Sequence, residues 1–208
     1  MKRCLVVLAT VIAGGCAVGV KHAYHDVAPE LKYPVRGTVA VAVLDRRPYV
    51  TDGAKTESFV GVQRGGYGNP FDVETESGRP LATEFQNSVA TALTRAGAKV
   101  VRVGVKPTTG PAEVRRQLAA TGASKSVLIT LHDWRVDSYI NVNLDHEVVL
   151  TVLGPQGQTL ATATQKGADR IGSSAINPVG ASVEAVPPAY RRKLEELFAT
   201  PAVANALR

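Results

Sequence analysis

The stretch YINVNLDHEVVLTVL, from Tyr139 to Leu153, decides the fold. Ile140, Val142, Leu144, His146, Val148, Leu150 and Val152 fall on one face of an extended chain, and Asn141, Asn143, Asp145 and Glu147 on the other. Successive strand residues project to opposite sides of a sheet, so this alternation predicts a strand with one face in a core and one in water. Upstream, Ser126 to Val136 predicts a partner strand, with a turn near Asp137-Ser138; downstream, Gly154-Pro155-Gln156-Gly157 predicts a hairpin into Thr159 to Gln165. Together the three segments predict an antiparallel meander.

The chain before the meander has a different rhythm. Thr38 to Leu44 is a short β-branched apolar run, fit for a buried strand, and Asp45-Arg46-Arg47-Pro48 halts it. After Pro80, Leu81, Phe85, Val89 and Leu93 recur every four residues up to Gly97 and predict an amphipathic helix. Lys99 to Val105 reads as a strand and Pro111 to Ala120 as a second helix, stopped near Gly122. Strand, helix, strand, helix, strand is the order of an α/β unit. After the meander, Pro187 to Ala199 places Tyr190, Leu194, Leu197 and Phe198 on one helical stripe, with Arg191 and Glu195, and Arg192 and Glu196, at ion-pair spacing on a solvated face. Thr200-Pro201 opens a last short helix ending at Leu207. The fold class expected is therefore α+β or α/β, one domain over 36–208, with a mixed sheet, a β-α-β-α-β start, an antiparallel meander and a C-terminal helix.

Between the first strand and first helix lies a glycine-rich region, Tyr49 to Gly78. Ser58 to Val62 and Phe71 to Val73 read as short strands around the tip Arg64-Gly65-Gly66-Tyr67-Gly68-Asn69-Pro70. The tip lacks the Gly-Lys-Ser/Thr ending and following helix of a phosphate-binding loop. It reads instead as a hairpin tip whose Arg64, Tyr67 and Asn69 are candidates for contact with a partner.

Catalytic candidates are few. His132-Asp133 and Asp145-His146-Glu147 look like acid-base clusters in a line, yet neighbours on a strand project to opposite faces. Asp145 and Glu147, two apart on the polar face and about 7 Å between Cα atoms, are the one pair with a geometry for hydrolytic work, but a solvated strand face is the better reading of them. His146 is expected at the edge of the core, Trp134 in the core or at its rim, and His22 and His25 in a solvated linker without a third metal ligand. No Gly-x-Ser-x-Gly elbow, His-Glu-x-x-His motif or Cys-His pair occurs. No catalytic residue, metal site or cofactor is expected.

The first sixteen residues supply an address. Lys2 and Arg3 precede an apolar run from Leu5 to Ile12, then Ala13-Gly14-Gly15-Cys16, the order of a secretory signal with small residues at its cut. Ile12-Ala13-Gly14-Gly15-Cys16 resembles a bacterial lipobox, with alanine where leucine is commoner three places before the cysteine. That resemblance implies cleavage of residues 1–15, acylation of Cys16 and a mature chain beginning there. Ala17, in place of aspartate, implies by the same resemblance transit to the outer membrane with the domain facing the periplasm. A competing reading, an uncleaved anchor, has only the uncharged run from Cys4 to Val20, short of the roughly 20 apolar residues of a spanning helix. Residues 16–35, rich in His and Pro and without apolar periodicity, are expected to form a flexible tether.

Loss of the signal takes the formal charge from +6 to +4 by removing Lys2 and Arg3, too mild for nucleic-acid binding. Of the two cysteines, Cys4 leaves with the signal and Cys16 is acylated, so no disulfide or thiol-ligated metal remains. The lipobox, the first strand Val-Ala-Val-Leu-Asp-Arg-Arg, the Phe59-Val60-Gly61 loop, Arg79-Pro80-Leu81 before an amphipathic helix and the long meander together resemble the YajG-type bacterial lipoproteins. The resemblance implies a small periplasmic α/β module that binds rather than catalyses, and no active residues. The function expected is a non-enzymatic, lipid-anchored binding or assembly module with an envelope-protein or cell-wall partner; the alternatives are an enzyme acting on cell-wall polymer through Asp145 and Glu147, and a structural oligomer pairing through sheet edges.

Overall fold

The computed structural model describes residues 19–208. A two-residue strand β1 (Lys21–His22) precedes β2 (Thr38–Asp45) and a single helical turn, α1 (Pro48–Thr51). The hairpin β3 (Phe59–Arg64) and β4 (Pro70–Thr75) leads into helix α2 (Leu81–Arg95), strand β5 (Lys99–Arg102) and helix α3 (Pro111–Ala120). The meander follows as β6 (Lys125–Ser138), β7 (Asn141–Leu153) and β8 (Thr159–Ser173), and helices α4 (Pro178–Ala199) and α5 (Pro201–Leu207) close the chain.

All eight strands form one mixed sheet with β6 as its spine. The first half of β6 pairs in parallel with β2, which pairs in parallel with β5. Its second half pairs in parallel with β3, which is followed by antiparallel β4 and parallel β1. Along its other edge β6 runs antiparallel to β7, and β7 to β8. The expected mixed sheet, its α/β start and its meander are thus present in one domain.

The two halves of β6 bury different amounts of surface. Around the first half both faces are covered: Val39, Val41 and Val43 join the main core with α2 and α4, while Ala40, Ala42 and Leu44 meet Val114 and Leu118 of α3. A strand buried on both sides reads as continuously apolar, as Thr38 to Leu44 does. In the second half only one face is covered.

A β-bulge separates the halves. Leu131 pairs with Val148 and Asp133 with Glu147, leaving His132 as an extra residue on β6. Because side chains alternate with period two, one extra residue reverses the phase. Val127, Ile129 and Leu131 face the core before it; Trp134, Val136 and Ser138 face the core after it. Trp134 is completely buried, edge-on to Phe85 and Tyr190 at ring-centroid distances of 5.2 and 5.7 Å.

Strand β5 stops at Arg102, short of the expected Val105, and four further differences from expectation shape the fold. The turn expected at Asp137-Ser138 lies at Tyr139-Ile140, because β6 continues to pair Asp137 with Val62 and Ser138 with Gln63 of β3. Strand β8 runs to Ser173 rather than Gln165; its last residues pair with β7 as far as Asn141 but are too polar to show a strand pattern. Helix α4 begins at Pro178, not Pro187, capped by the Asn177 side chain, which accepts the Gly180 N–H at 2.9 Å. Pro187 and Pro188 lie inside it, and the carbonyls they leave free belong to Val183 and Glu184 on the exposed face, where water replaces the lost donors.

The fourth difference is the tether. Residues 19–35 are a strap packed into the domain. Val20, His22, Tyr24, Val27, Ala28, Tyr33 and Val35 are buried, and β1 extends the sheet. The Trp134 Nε1–H donates to the Tyr24 hydroxyl at 3.0 Å, and the Tyr33 hydroxyl donates to the Phe198 carbonyl at 3.0 Å. The strap is irregular, so its buried positions follow no period and read as linker. Cys16 and the signal segment lie outside the described residues.

Candidate functional site

Three loops meet at one end of the second half of the sheet. The β3–β4 hairpin turns there through Gly65 to Asn69, held by Gly65 N–H to the Asn69 carbonyl at 2.9 Å and Gly68 N–H to the Gly65 carbonyl at 2.8 Å. Gly68 sits at φ +81°, where a side chain is strained. Beside it is the Tyr139-Ile140 turn, whose tyrosine hydroxyl donates to the Gly66 carbonyl at 3.3 Å. The third loop, Ser174 to Asn177, is tied to that turn by Ser174 N–H to the Ile140 carbonyl at 2.9 Å.

Gly61 makes the hairpin's position possible. It pairs with Val136 at φ +154°, and a Cβ there would stand 2.1 Å from the Val136 carbonyl oxygen. Only glycine lets β3 approach β6 this closely. Arg64 then grips Asp137 with two hydrogen bonds of 2.8 and 2.6 Å. Of the three contact candidates, Arg64 therefore has its charge matched within the fold, Asn69 lends its carbonyl to the turn, and Tyr67 stands free at the apex.

Large apolar and aromatic side chains stand exposed at this end. Tyr67 is 103% exposed and Ile176 98%, with Tyr139 and Ile140 also open. Four of the seven large apolar or aromatic side chains exposed among the described residues belong to these loops. A shallow depression between the hairpin and the turn adds Asn141, Asn143 and Asp145 beside Arg64 and Asp137. Tyr139, Ile140 and Ile176 escaped the sequence reading. Their one signal is an apolar residue where a turn expects a polar one: Ile140 reads as part of the strand's alternation, and Ile176 stands between Ala175 and Asn177.

The hydrolytic candidates separate. Asp145 and Glu147 share the solvated face of β7, but each has its own cation: Arg135 at 2.9 Å from Asp145, and Lys166 at 2.8 Å from Glu147. The Lys166 ammonium holds the Glu147 carboxyl below the usual carboxylate range, opposite to the shift a general acid needs. His146 lies on the other face, buried against Trp134, with its pKa lowered by burial and by Lys193. His132 is exposed on the bulge, and Asp133 accepts the Tyr49 hydroxyl at 3.0 Å.

The strap histidines also part. His22 is buried with Nε2 3.2 Å from the Ser182 hydroxyl of α4, and burial lowers its pKa to about 4. The Ser182 hydroxyl gives its hydrogen to the Val179 carbonyl, so His22 is the neutral donor through Nε2. His25 faces Glu76 at 3.6 Å. Among the described residues no three His, Cys, Asp or Glu side chains converge as metal ligands.

A polar anchor of another kind lies inside the fold. Arg47, fully buried, binds both oxygens of Asp45 at 2.9 and 2.6 Å and donates to the carbonyls of Phe59 and Glu57 at 2.6 and 3.1 Å. The Asp45-Arg46-Arg47 run that reads as a strand stop thus pins the start of the hairpin to the end of β2.

No protein-family model and no curated protein sequence matches the chain. Among solved structures, protein XCC0632 from Xanthomonas campestris, of the DUF330 family model, is similar at 16% identity with a TM-score of 0.55, covering 90% of this chain and 94% of that one. Weaker likenesses include lipoprotein GNA1162 from Neisseria meningitidis, at 14% identity and TM-score 0.41 over 76% of this chain and 99% of that one. The C-terminal domain of LpoB from Salmonella enterica matches at 12% identity and TM-score 0.35, over 67% of this chain and 86% of that one. At these identities the first likeness defines a shared fold, a single α+β domain with a mixed sheet and C-terminal helices. The other two fall below the level at which a likeness carries an argument.

Proposed function

We propose that this chain is a lipid-anchored envelope protein of the YajG type, with residues 1–15 removed, Cys16 acylated, and the domain facing the periplasm from the outer membrane as a binding or assembly module. The observation that carries the anchor is the lipobox Ala13-Gly14-Gly15-Cys16 set three residues before Gly19, the first described residue of a packed domain. Among the described residues no helix is long and apolar enough to cross a membrane. Binding rather than catalysis is supported by the separate ion pairing of Asp145 and Glu147 and by an apolar, hydrogen-bonded loop cluster that offers contact surface.

Metabolic labelling with palmitate tests the anchor. The wild-type chain takes up label and fractionates with outer-membrane lipoproteins; Cys16→Ala loses both. A Cys16→Ala chain that still fractionates with them overturns the reading. Crosslinking in intact cells then identifies the envelope partner, and a cell-wall hydrolase activity abolished by Asp145→Ala would replace binding with catalysis.

A second reading rests on β8. This strand of 15 residues pairs only with β7 among the described residues, leaving a long free edge, and unpaired edges are templates for strand addition. Lys166, Asp169 and Arg170 put charge along it, the usual protection against such pairing. A single monomer mass in detergent excludes an edge-paired oligomer.

A further inference from the structure

We infer that the loop cluster carrying Tyr67, Tyr139, Ile140 and Ile176 is a second membrane contact, which seats in the interfacial zone of the same lipid surface that holds the acyl anchor. The inference rests on the lipid-anchor reading and adds an orientation to it.

Strand direction carries the argument. Strand β1 runs parallel to β4, with Lys21 beside Glu74 and His22 beside Thr75. Strand β4 starts at Pro70, directly after the Gly65–Asn69 apex, so the chain enters β1 from the apex end. Gly19, two residues before Lys21, sits at φ +85° in a turn at the entry to β1. Cys16 is three positions before Gly19, with Ala17 and Val18 between them, and three steps of chain reach at most about 10 Å. A thioether at Cys16 would therefore stand within about 10 Å of Gly19, at the entry to β1. A long tether would let the domain tumble at any angle; the packed strap removes that freedom.

The chemistry of the cluster fits lipid. Two tyrosines and two isoleucines stand on turns that are tied to one another by hydrogen bonds, with their apolar parts open. Tyrosine is enriched at the membrane interface, where its ring meets acyl chains and its hydroxyl meets water. The acyl chains expected at Cys16 already hold the protein to the surface, and the loop contact adds a fixed orientation rather than the attachment itself. The opposite end of the meander is the Gly154–Gly157 turn, polar and distant from β1, with Leu160 the nearby exposed apolar residue.

Site-specific fluorescence tests the contact. The mature chain is expected to hold no free thiol, so Tyr67→Cys, Ile176→Cys and Leu160→Cys each introduce a single site for an environment-sensitive thiol dye. The full chain, produced with its own signal, is reconstituted in phosphatidylethanolamine–phosphatidylglycerol vesicles. Vesicle flotation and dye emission are read together with iodide quenching. The expected result is that all three variants float, the dyes at positions 67 and 176 shift to the blue and lose quenching, and the dye at 160 does neither. Floating protein with water-exposed dyes at 67 and 176 overturns the contact while the anchor stands. Dyes at those sites shielded only in whole envelopes assign the cluster to a protein partner and overturn it too. Equal shielding at 160 replaces an end-on contact with a side-on one. A wild-type chain that takes up dye at Cys16 and fails to float removes the anchor, and this contact with it.

Discussion

The two halves of the β6–β7 ribbon have almost the same strands and opposite surroundings. Before His132 the sheet lies between helices on both faces, with Val39, Val41 and Val43 toward α2 and α4 and Ala40, Ala42 and Leu44 toward α3. After His132 the covered face holds Trp134, Val136, Leu144 and His146, while Arg135, Asp145, Glu147 and Lys166 meet water. The first half is scaffold. The second half projects loops, carries both buried histidines, and is closed by the strap that leads back to Cys16. Putting exposed loops on a half-covered extension of a fully covered sheet separates stability from contact.

The sharpest way to break this arrangement is to delete His132. Without the extra residue the phase of β6 reverses beyond Leu131, turning Trp134 and Val136 toward water and Arg135 and Asp137 toward the core. The expected outcome is loss of ordered packing in the second half. Trp134 is the sole tryptophan, so its emission reports this directly, moving from a buried to a solvated maximum. Replacing His132 with alanine keeps the residue count and leaves the emission unchanged.

Acid discriminates between the halves next. Burial holds the pKa of His22 at about 4, against 6.5 for an unperturbed histidine. Between those values the unfolded chain binds a proton that the folded chain does not, so stability falls as the pH falls through that window. A shift of this size corresponds to a loss of about 3 kcal/mol, complete near pH 4. His146, also lowered, acts in the same direction. Chemical denaturation at pH 7 and pH 5 should show the wild type weakened at the lower pH. His22→Phe should have a shallower dependence, and a slope unchanged in that variant would remove His22 from the account.

Much of this was legible in the sequence, and the reasons are specific. Thr38 to Leu44, Leu81 to Leu93 and Val142 to Val152 have clean periods because each element presents one or two defined faces to a core. Pro111 to Ala120 was legible from its proline start and glycine stop. The strap was not, because its buried residues answer to β6 and α4, 110 to 165 residues away, as in Tyr24 with Trp134 and Tyr33 with Phe198. The start of α4 was hidden by Pro187-Pro188, which local rules place at a helix N-terminus. At the loop cluster, Tyr67 was legible as a glycine-flanked apex. Ile140 and Ile176 were not, since only tertiary placement brings them beside it.

Packing in the scaffold half sets the third test. Ala42 is fully buried against α3, and the small side chain lets that helix sit close to the sheet. Ala42→Leu adds volume that the site cannot absorb and should cost about 1–3 kcal/mol, read as a lower denaturation midpoint with unchanged slope. The dyes at Tyr67→Cys and Ile176→Cys should keep their behaviour on vesicles in this background, because the overpacked helix touches neither the strap nor the loops.

The smallest effect belongs to the solvated face of the second half. Asp145 with Arg135 and Glu147 with Lys166 are cross-strand pairs open to water, and such pairs contribute little to stability. Asp145→Asn and Glu147→Gln should shift the denaturation midpoint slightly, and the shift should shrink further in high salt, which screens exposed charges. The size of the effect matters because it separates two roles for the same carboxylates. As surface ion pairs they are nearly dispensable to stability and to any function the loops perform. As a catalytic pair they would be dispensable to stability yet indispensable to turnover. Equal, small effects on stability together with unchanged envelope crosslinking would leave the half-covered sheet as a support for its loops, and loss of crosslinking in Asp145→Asn alone would move the contact surface from the apex onto the strand face beside it.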